Sequence, residues 1–138
     1  MNQLHAIVYV SSAVRLLGPE DIERLLVRAR RRNATEGITG LLLYADGAFM
    51  QYIEGPRARL MKVYDIITAD ALHTGLTLLM DEDTGAREFA DWAMGYDTAT
   101  TPEFLQLRQA RWKRSPATSE SLTPGKALLH KVWSEAIR

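Results

Sequence analysis

NATEGITGLLLYADGAFMQYIEG, the run from Asn33 to Gly55, reads as a helix end, a strand, a tight turn and a second strand. The dipeptide Asp46-Gly47 is a strong hairpin signal, because glycine accepts the positive φ that such a turn needs. The apolar runs on either side, Ile38–Tyr44 and Phe49–Glu54, are predicted as the two strands. This segment therefore predicts a hairpin that follows a helix.

Gln51 is the unusual residue of the second predicted strand. Side chains alternate across a strand, so Phe49, Gln51 and Ile53 share one face. An amide between two large apolar residues lies on a face that we expect to be covered. A buried amide without partners costs about 1–3 kcal/mol, so we expect another group to form a hydrogen bond with Gln51.

Composition sets broad limits on function. The 138 residues suffice for one domain with a hydrophobic core, and 17 basic residues balance 17 acidic ones. That balance does not favour binding to nucleic acid or to anionic membranes. The chain has no cysteine, which excludes disulfides, thiolate catalysis and cysteine-based metal sites.

The sequence contains no recognisable membrane or export signal. No apolar run approaches the roughly 20 residues that a transmembrane helix needs. The first residues, MNQLHAIVYVSS, lack the basic region, long apolar core and cleavage site of a signal peptide. We therefore expect a cytoplasmic protein that makes no direct contact with a membrane.

Periodicity predicts the remaining elements of an α+β fold. Strands are predicted at Leu4–Val10, Leu76–Met80 and Trp92–Tyr96, and helices open near Pro19 and Pro56. The helical stripes are Ile22, Leu25, Leu26 and Ala29 in the first helix, and Leu60, Val63, Tyr64 and Ile67 in the second. The resulting order, βαββαββ, predicts a ferredoxin-like five-stranded mixed sheet with both helices on one face.

The C-terminal part differs in character, and we expect a domain over residues 1–98 with a two-helix extension over 99–138. Helices are predicted at Pro102–Arg114 and Gly125–Arg138, joined by a Ser/Thr/Pro loop. Their apolar members are Phe104, Leu105, Leu107 and Trp112 in one helix, and Leu128, Leu129, Val132, Trp133 and Ile137 in the other. These helices either cover the second face of the sheet or form a contact between subunits.

Four arginines are predicted in the last turn of the first helix: Arg28, Arg30, Arg31 and Arg32. Two interpretations stay open. Cations there match the negative end of the helix dipole. Alternatively, these side chains hold an anion.

Few residues are placed for catalysis. His5, His73 and His130 are far apart in sequence, which argues against a metal site, and there is no glycine-rich phosphate loop or G-x-S-x-G motif. The acidic runs Glu20-Asp21 and Asp81–Asp83 are expected in exposed caps or loops, so a hydrolytic role is not favoured.

Tyr9, Asn33 and Gln51 form the remaining polar set, and the predicted strand faces put Tyr9 and Gln51 under the same two helices. Each has a structural explanation: a half-buried tyrosine, an asparagine that ends a helix, or a glutamine that caps a backbone group. Together they offer hydrogen-bond donors and acceptors with no strong acid, strong base or thiol. This suits recognition of a planar heteroaromatic ligand better than hydrolysis.

Three segments, IVYVSS, NATEGITGLLLYADGAFMQYIEG and REFADWAMGY, resemble the BLUF domain, a blue-light sensor that uses flavin. The resemblance covers about residues 3–97, and the tail resembles that of short, single-domain BLUF proteins. It implies that FAD, with FMN or riboflavin as alternatives, lies between the two helices.

The resemblance also implies roles for individual residues. Tyr9 matches the photoactive tyrosine, Gln51 the switching glutamine and Asn33 an asparagine that forms a hydrogen bond with flavin. Trp92 and Met94 match a fifth-strand pair that relays the signal. Further flavin-binding positions are expected at Leu25, Phe49 and Ile66, which are apolar, and at Asp70 and His73, which follow the second helix.

This chain departs from the family pattern near the expected flavin phosphates. Ile66, Ala71 and Leu72 stand where many members carry basic residues, and Ala29 stands where some relatives have serine. Arg28, Arg30, Arg31 or Arg32 are the candidates to replace the missing cations, and the sequence does not choose among them.

The resulting hypothesis is a photoreceptor module and not an enzyme. The resemblance implies that light moves an electron and then a proton from Tyr9 to flavin and rearranges the hydrogen bonds of Gln51. No effector domain is recognised in the sequence, so we expect output through a separate protein or a change in homo-oligomeric assembly. The alternatives are a flavin-free interaction domain and an acylphosphatase-type hydrolase that uses Arg32 and Asn33.

Overall fold

A five-stranded mixed sheet forms the centre of the fold in the computed structural model, which describes residues 3–113 and 123–136. The strand order is β4-β1-β3-β2-β5, with β5 parallel to β2 and every other pair antiparallel. The elements are β1 Leu4–Ala13, α1 Pro19–Glu36, β2 Thr39–Ala45, β3 Ala48–Pro56, α2 Arg57–Thr68, β4 His73–Asp83, β5 Gly95–Thr98, α3 Thr101–Gln109 and α4 Pro124–Ala136. The ferredoxin-like α+β prediction is confirmed, with β5 as the added edge strand.

Each face of the sheet has its own hydrophobic core. On one face, Ile7, Phe49 and Ile53 pack with α1 and α2. On the other face, Val8 and Met50 pack with side chains from the C-terminal helices: Phe104, Leu107, Leu129, Val132 and Trp133. The predicted alternation in β1 and β3 is therefore confirmed, and α3 and α4 cover the second face.

Helix α1 is longer than predicted. Asp21 accepts a hydrogen bond from the backbone N–H of Gly18 at 3.0 Å, which caps the first turn. Gly37, with φ of 70°, ends the helix in the left-handed conformation that favours glycine. Asn33 is therefore inside the helix, and the last turn contains no basic residue. The prediction that the arginines occupy that turn was wrong, since they lie about one turn earlier.

Three strands are longer than predicted: β1, β3 and β4. β3 runs from Ala48 to Pro56 and so extends the predicted Phe49–Glu54 at both ends. β1 continues past Val10 because Ser11 and Ser12 pair with β3 at Phe49 and Ala48. β4 extends on both sides of Leu76–Met80, since it pairs with β1 from His73 to Asp83, with two register shifts.

The predicted fifth strand was misplaced. Trp92 and Met94 precede β5, which begins at Gly95, where pairing with Leu41 of β2 starts. Upstream of that point, the N–H of Gly40 in β2 donates to the carbonyl of Trp92 at 2.9 Å. Both carboxylate oxygens of Glu54 also accept backbone N–H groups, from residue 88 at 2.7 Å and residue 89 at 2.8 Å. These contacts replace the strand pairing that the prediction assumed.

The tail helices also have different bounds. α3 ends at Gln109, so Trp112 is not one of its members. Trp112 is 2% exposed, and its indole N–H donates a hydrogen bond to the carbonyl of Leu107 at 2.8 Å. Leu105 is exposed, and Ile137 lies outside the described residues.

Candidate functional site

A cavity of about 290 Å³ lies between α1 and α2, above the sheet. Seven of the residues predicted to bind a ligand line it: Tyr9, Leu25, Phe49, Gln51, Ile66, Asp70 and His73. Leu25 comes from α1 and Ile66 from α2, so both helices contribute apolar walls. Tyr9 and Gln51 come from the two central strands and supply polar atoms beneath them.

Tyr9 and Gln51 are direct neighbours across β1 and β3. The Tyr9 hydroxyl donates a hydrogen bond to Oε1 of Gln51, and the side chains are only 3% and 4% exposed. Burial raises the pKa of Tyr9 well above its usual value of 10.0. The phenol therefore keeps its proton throughout the neutral range, and the buried amide has the partner that the sequence required.

Gln51 keeps hydrogen-bonding capacity on its nitrogen. Nε2 donates to the Sδ of Met94 at 3.4 Å. A thioether sulfur is a weak acceptor, and a primary amide has two N–H groups. Gln51 therefore lines the cavity with a donor that a stronger acceptor on a ligand can take.

Met94 and Trp92 occupy different environments. Met94 is 1% exposed and lies against Gln51, whereas Trp92 is 41% exposed. The Trp92 ring packs edge to face with Trp133 of α4, with centroids 5.3 Å apart and planes at 84°. Of the two predicted relay residues, Met94 thus contacts Gln51 and Trp92 contacts the C-terminal helix α4.

Asn33 does not line the cavity. It is fully buried, and its Nδ2 donates to the carbonyl of Ala93 at 2.7 Å. Arg30 donates from Nε to the carbonyl of Met94 at 2.9 Å. Two side chains of α1, Asn33 and Arg30, therefore fix the backbone at Ala93 and Met94.

Asp70 and His73 form a polar part of the cavity wall. Nε2 of His73 donates to the carbonyl of Ile67 at 2.6 Å, and Nδ1 forms a hydrogen bond with the Ser11 hydroxyl at 2.8 Å. Oδ1 of Asp70 accepts the backbone N–H of Leu72 at 2.9 Å, which shapes the turn after α2. Both side chains are held in place by hydrogen bonds within the fold.

Six further residues line the cavity: Arg28, Ala29, Arg32, Leu42, Ile67 and Leu72. Leu42 was not predicted as a site residue, although the two-residue turn sets a register that puts it opposite Gln51. Arg32 is half-buried; burial lowers its pKa, while Tyr9 and Asp70 oppose that effect. Arg28 and Arg32 are the members of the predicted arginine group that reach the cavity.

The arrangement suits a planar ligand that is mainly apolar and carries hydrogen-bond acceptors. The volume is near the lower end of the roughly 300–1,000 Å³ typical of ligand pockets. Residues 3–113 and 123–136 contain no cluster of three or more His, Asp or Glu side chains that could hold a metal ion. No helix within these ranges is long and apolar enough to cross a membrane.

The family model that matches the chain is BLUF, described as sensors of blue light using FAD, and the match covers residues 4–95. The photoactivated adenylate cyclase subunit beta of Euglena longa is 34% identical over 105 residues, which is 75% of this chain and 12% of that protein. The blue light- and temperature-regulated antirepressor BluF of Escherichia coli K12 is 33% identical over 73 residues, 53% of this chain and 18% of that protein. The chain thus spans a small part of these relatives.

Two solved structures are similar to this chain over most of its length. The dark-state structure of BlrB, a BLUF protein, has a TM-score of 0.77 and 31% identity, and the match covers 99% of each chain. A bacterial light-regulated adenylyl cyclase has a TM-score of 0.67 and 28% identity, with 96% of this chain and 34% of that chain covered. With the family match over residues 4–95, the chain belongs to the BLUF family, the FAD-binding sensors of blue light.

Proposed function

We propose that Tyr9 and Gln51 are the light-driven switch of this FAD-binding photoreceptor, and that the cavity between α1 and α2 holds the flavin ring. The observation that carries the proposal is the buried hydrogen bond from Tyr9 to Gln51 in the cavity wall. BLUF domains are photosensory and not catalytic. The chemistry to be explained is therefore a reversible change in the protein and not turnover of a substrate.

The cavity residues fit a flavin ring. Leu25 and Ile66 would pack against it from the two helices, and Phe49 would contact it from the sheet. The second N–H of Gln51 would donate to an acceptor on the ring. Asp70 and His73 would complete the polar edge, as the sequence predicts. Asn33 would act differently from the prediction, by fixing the backbone at Ala93.

Bound flavin supplies absorption of blue light and an acceptor for one electron. Tyr9 is the electron donor. An oxidised phenol is a strong acid, so its proton leaves along the existing hydrogen bond toward Oε1 of Gln51. Return of the electron and the proton restores Tyr9. The lasting change is in the amide of Gln51, whose oxygen and nitrogen exchange hydrogen-bond partners.

Transmission would begin at Met94. A rearranged Gln51 amide alters the bond between Nε2 and the sulfur of Met94. Met94 is next to Gly95, the first residue of β5, and two residues after Trp92, which packs on Trp133 of α4. The change would thus reach the C-terminal helices, and residues 99–138 would be the output part attached to a sensory domain of residues 1–98.

The output would be received by a separate effector protein or by a second copy of the chain. This is supported by relatives in which the matching segment occupies a small share of a photoactivated adenylate cyclase subunit. A cytoplasmic location stays a prediction. The hydrolase alternative has little support, because it needs Asn33 at an open phosphate site and that side chain is fully buried.

An absorption spectrum of the purified protein tests the proposal. We expect a yellow protein whose flavin band shifts to longer wavelength under blue light and recovers in the dark. A protein that stays colourless after reconstitution with FAD would contradict flavin binding in this cavity. A protein that binds FAD without a reversible shift would contradict the switch.

A further inference from the structure

Three arginines form a basic surface beside the cavity. Arg28, Arg31 and Arg32 follow the i, i+3, i+4 spacing that puts side chains on one face of a helix. Arg28 and Arg32 line the cavity, and with Arg31 they also line a second depression of about 290 Å³ on α1. Because the two spaces share two arginines, they adjoin at the cavity edge.

These arginines are not used in ion pairs within the part of the chain that the structure describes. Arg24, on the same helix, pairs with Asp21 at 2.7 Å. Glu36 lines the second depression, but its carboxylate pairs with Lys62 at 3.0 Å. The positive charge of the basic surface is therefore not neutralised by nearby carboxylates within ion-pair distance.

The helix dipole does not explain this surface. Dipole effects are strongest in the last turn, and the last turn of α1 contains no basic residue. Like charges four residues apart destabilise a helix, which applies to Arg28 and Arg32. Burial is the main cause that lowers the pKa of Arg32, and the positive charge of Arg28 adds a smaller lowering. An anion bound here would remove this repulsion.

Among the residues that the structure describes, the opposite side of the cavity has no lysine or arginine in its lining. Ile66 and Leu72 line it from α2 and the turn that follows, and both are apolar. A ligand with its ring in the cavity and a charged chain at the edge would therefore place that chain toward α1.

We propose that Arg28, Arg31 and Arg32 form a phosphate subsite that binds the phosphate chain of a flavin nucleotide. The inference rests on the proposed function, since it requires the ring to occupy the cavity. Guanidinium groups bind phosphate oxygens through paired, charge-assisted hydrogen bonds. The subsite would make the protein prefer FMN and FAD over riboflavin, which has the same ring and no phosphate.

The test is titration of the full-length apoprotein with riboflavin, FMN and FAD, followed by quenching of flavin fluorescence. For the unmodified chain we expect FMN and FAD to bind about tenfold more tightly than riboflavin at low salt. Added salt should reduce that ratio, because the basic surface is partly exposed. The double variant Arg28→Gln/Arg31→Gln should bring the ratio close to one, chiefly by weakening the binding of FMN and FAD.

Arg24→Gln is the control, with the same type of substitution on α1 and the loss of one positive charge, at a residue that lines neither space. It should keep the preference for FMN and FAD. The subsite is overturned if the double variant keeps the preference, or if it weakens all three ligands equally. A chain that binds none of the three would instead contradict the proposed function, so the two failures are distinguishable.

Discussion

The hydroxyl of Tyr9 donates a hydrogen bond to Oε1 of Gln51, directly across the β1–β3 ladder and beneath a cavity open to a ligand. Backbone pairing sets the relative position of the two Cα atoms, and the shared face of the sheet turns both side chains toward α1 and α2. A phenol and an amide are thus aligned by the sheet itself. The pair needs no loop to bring it together, which suits a switch that must return to its starting state.

Replacing Gln51 with leucine should preserve flavin binding and abolish the light-induced red shift. Leucine is similar in size and fills the space, but it has no donor or acceptor. Gln109→Leu is the control, because Gln109 is exposed on α3. Difference spectra after blue illumination compare the variants. A normal shift in Gln51→Leu would show that the amide is not the switch.

The C-terminal helices should be essential for stability, because their side chains complete the second core. Leu129 is 1% exposed, and Leu129→Ala should lower the free energy of unfolding by about 2–5 kcal/mol. Leu105→Ala, at a side chain that is 48% exposed, should change it by about 0.5 kcal/mol or less. Urea denaturation measures both, and equal effects would contradict the role assigned to α4.

Deleting the residues after Thr100 is a stronger form of the same test. It should uncover the sheet face that contains Val8, Leu43 and Met50, and cause aggregation or a new oligomeric state. Light scattering would detect either outcome. A truncated chain that stays dispersed with unchanged assembly would count against both the covering role and the proposed output role of the tail.

Glu54 should make stability depend on pH. Its carboxyl is 1% exposed, and burial raises its pKa, although hydrogen bonds from Thr39 and from the backbone of residues 88 and 89 oppose that effect. A raised folded-state pKa means that the folded chain retains the proton longer than the unfolded chain as pH rises. The contribution of Glu54 to stability is therefore present below the unfolded-state pKa and is lost as pH rises through the folded-state pKa.

Glu54→Gln removes the ionisation and should flatten this dependence. Denaturation midpoints measured from about pH 4 to about pH 7 should show the unmodified chain losing stability relative to the variant. Parallel curves, or a relative gain for the unmodified chain as pH rises, would show that the hydrogen bonds to Glu54 outweigh its burial.

Strand faces were predictable because alternation in β1 and β3 has a period of two. That period assigned Tyr9 and Gln51 to one face and Val8 and Met50 to the other, as the structure confirms. The Asp46-Gly47 turn also fixed the register that puts Leu42 opposite Gln51. Local rules suffice here because a hairpin is held by contacts close in sequence.

The segment before β5 was not predictable by the same rules. REFADWAMGY has apolar residues that resemble a strand, yet Glu54 and Asn33 hold its backbone from distant parts of the chain. The periodicity of apolar residues within a segment does not report contacts with residues that are distant in sequence. For the same reason, the sequence did not choose among the arginines of α1, whereas the structure separates Arg30, bonded to the carbonyl of Met94, from those that line the cavity.

The most direct test of the switch is the blue-light difference spectrum of Tyr9→Phe beside that of the unmodified chain. The variant loses one oxygen, so packing and flavin content should be retained. Tyr64→Phe is the control, because its ring lies 6.3 Å from that of Tyr9 while the hydroxyl that bonds Gln51 belongs to Tyr9. We expect a reversible red shift in the unmodified chain and in Tyr64→Phe, and none in Tyr9→Phe. A stable red-shifted state in Tyr9→Phe that recovers in the dark would contradict the assignment of Tyr9 as the required donor.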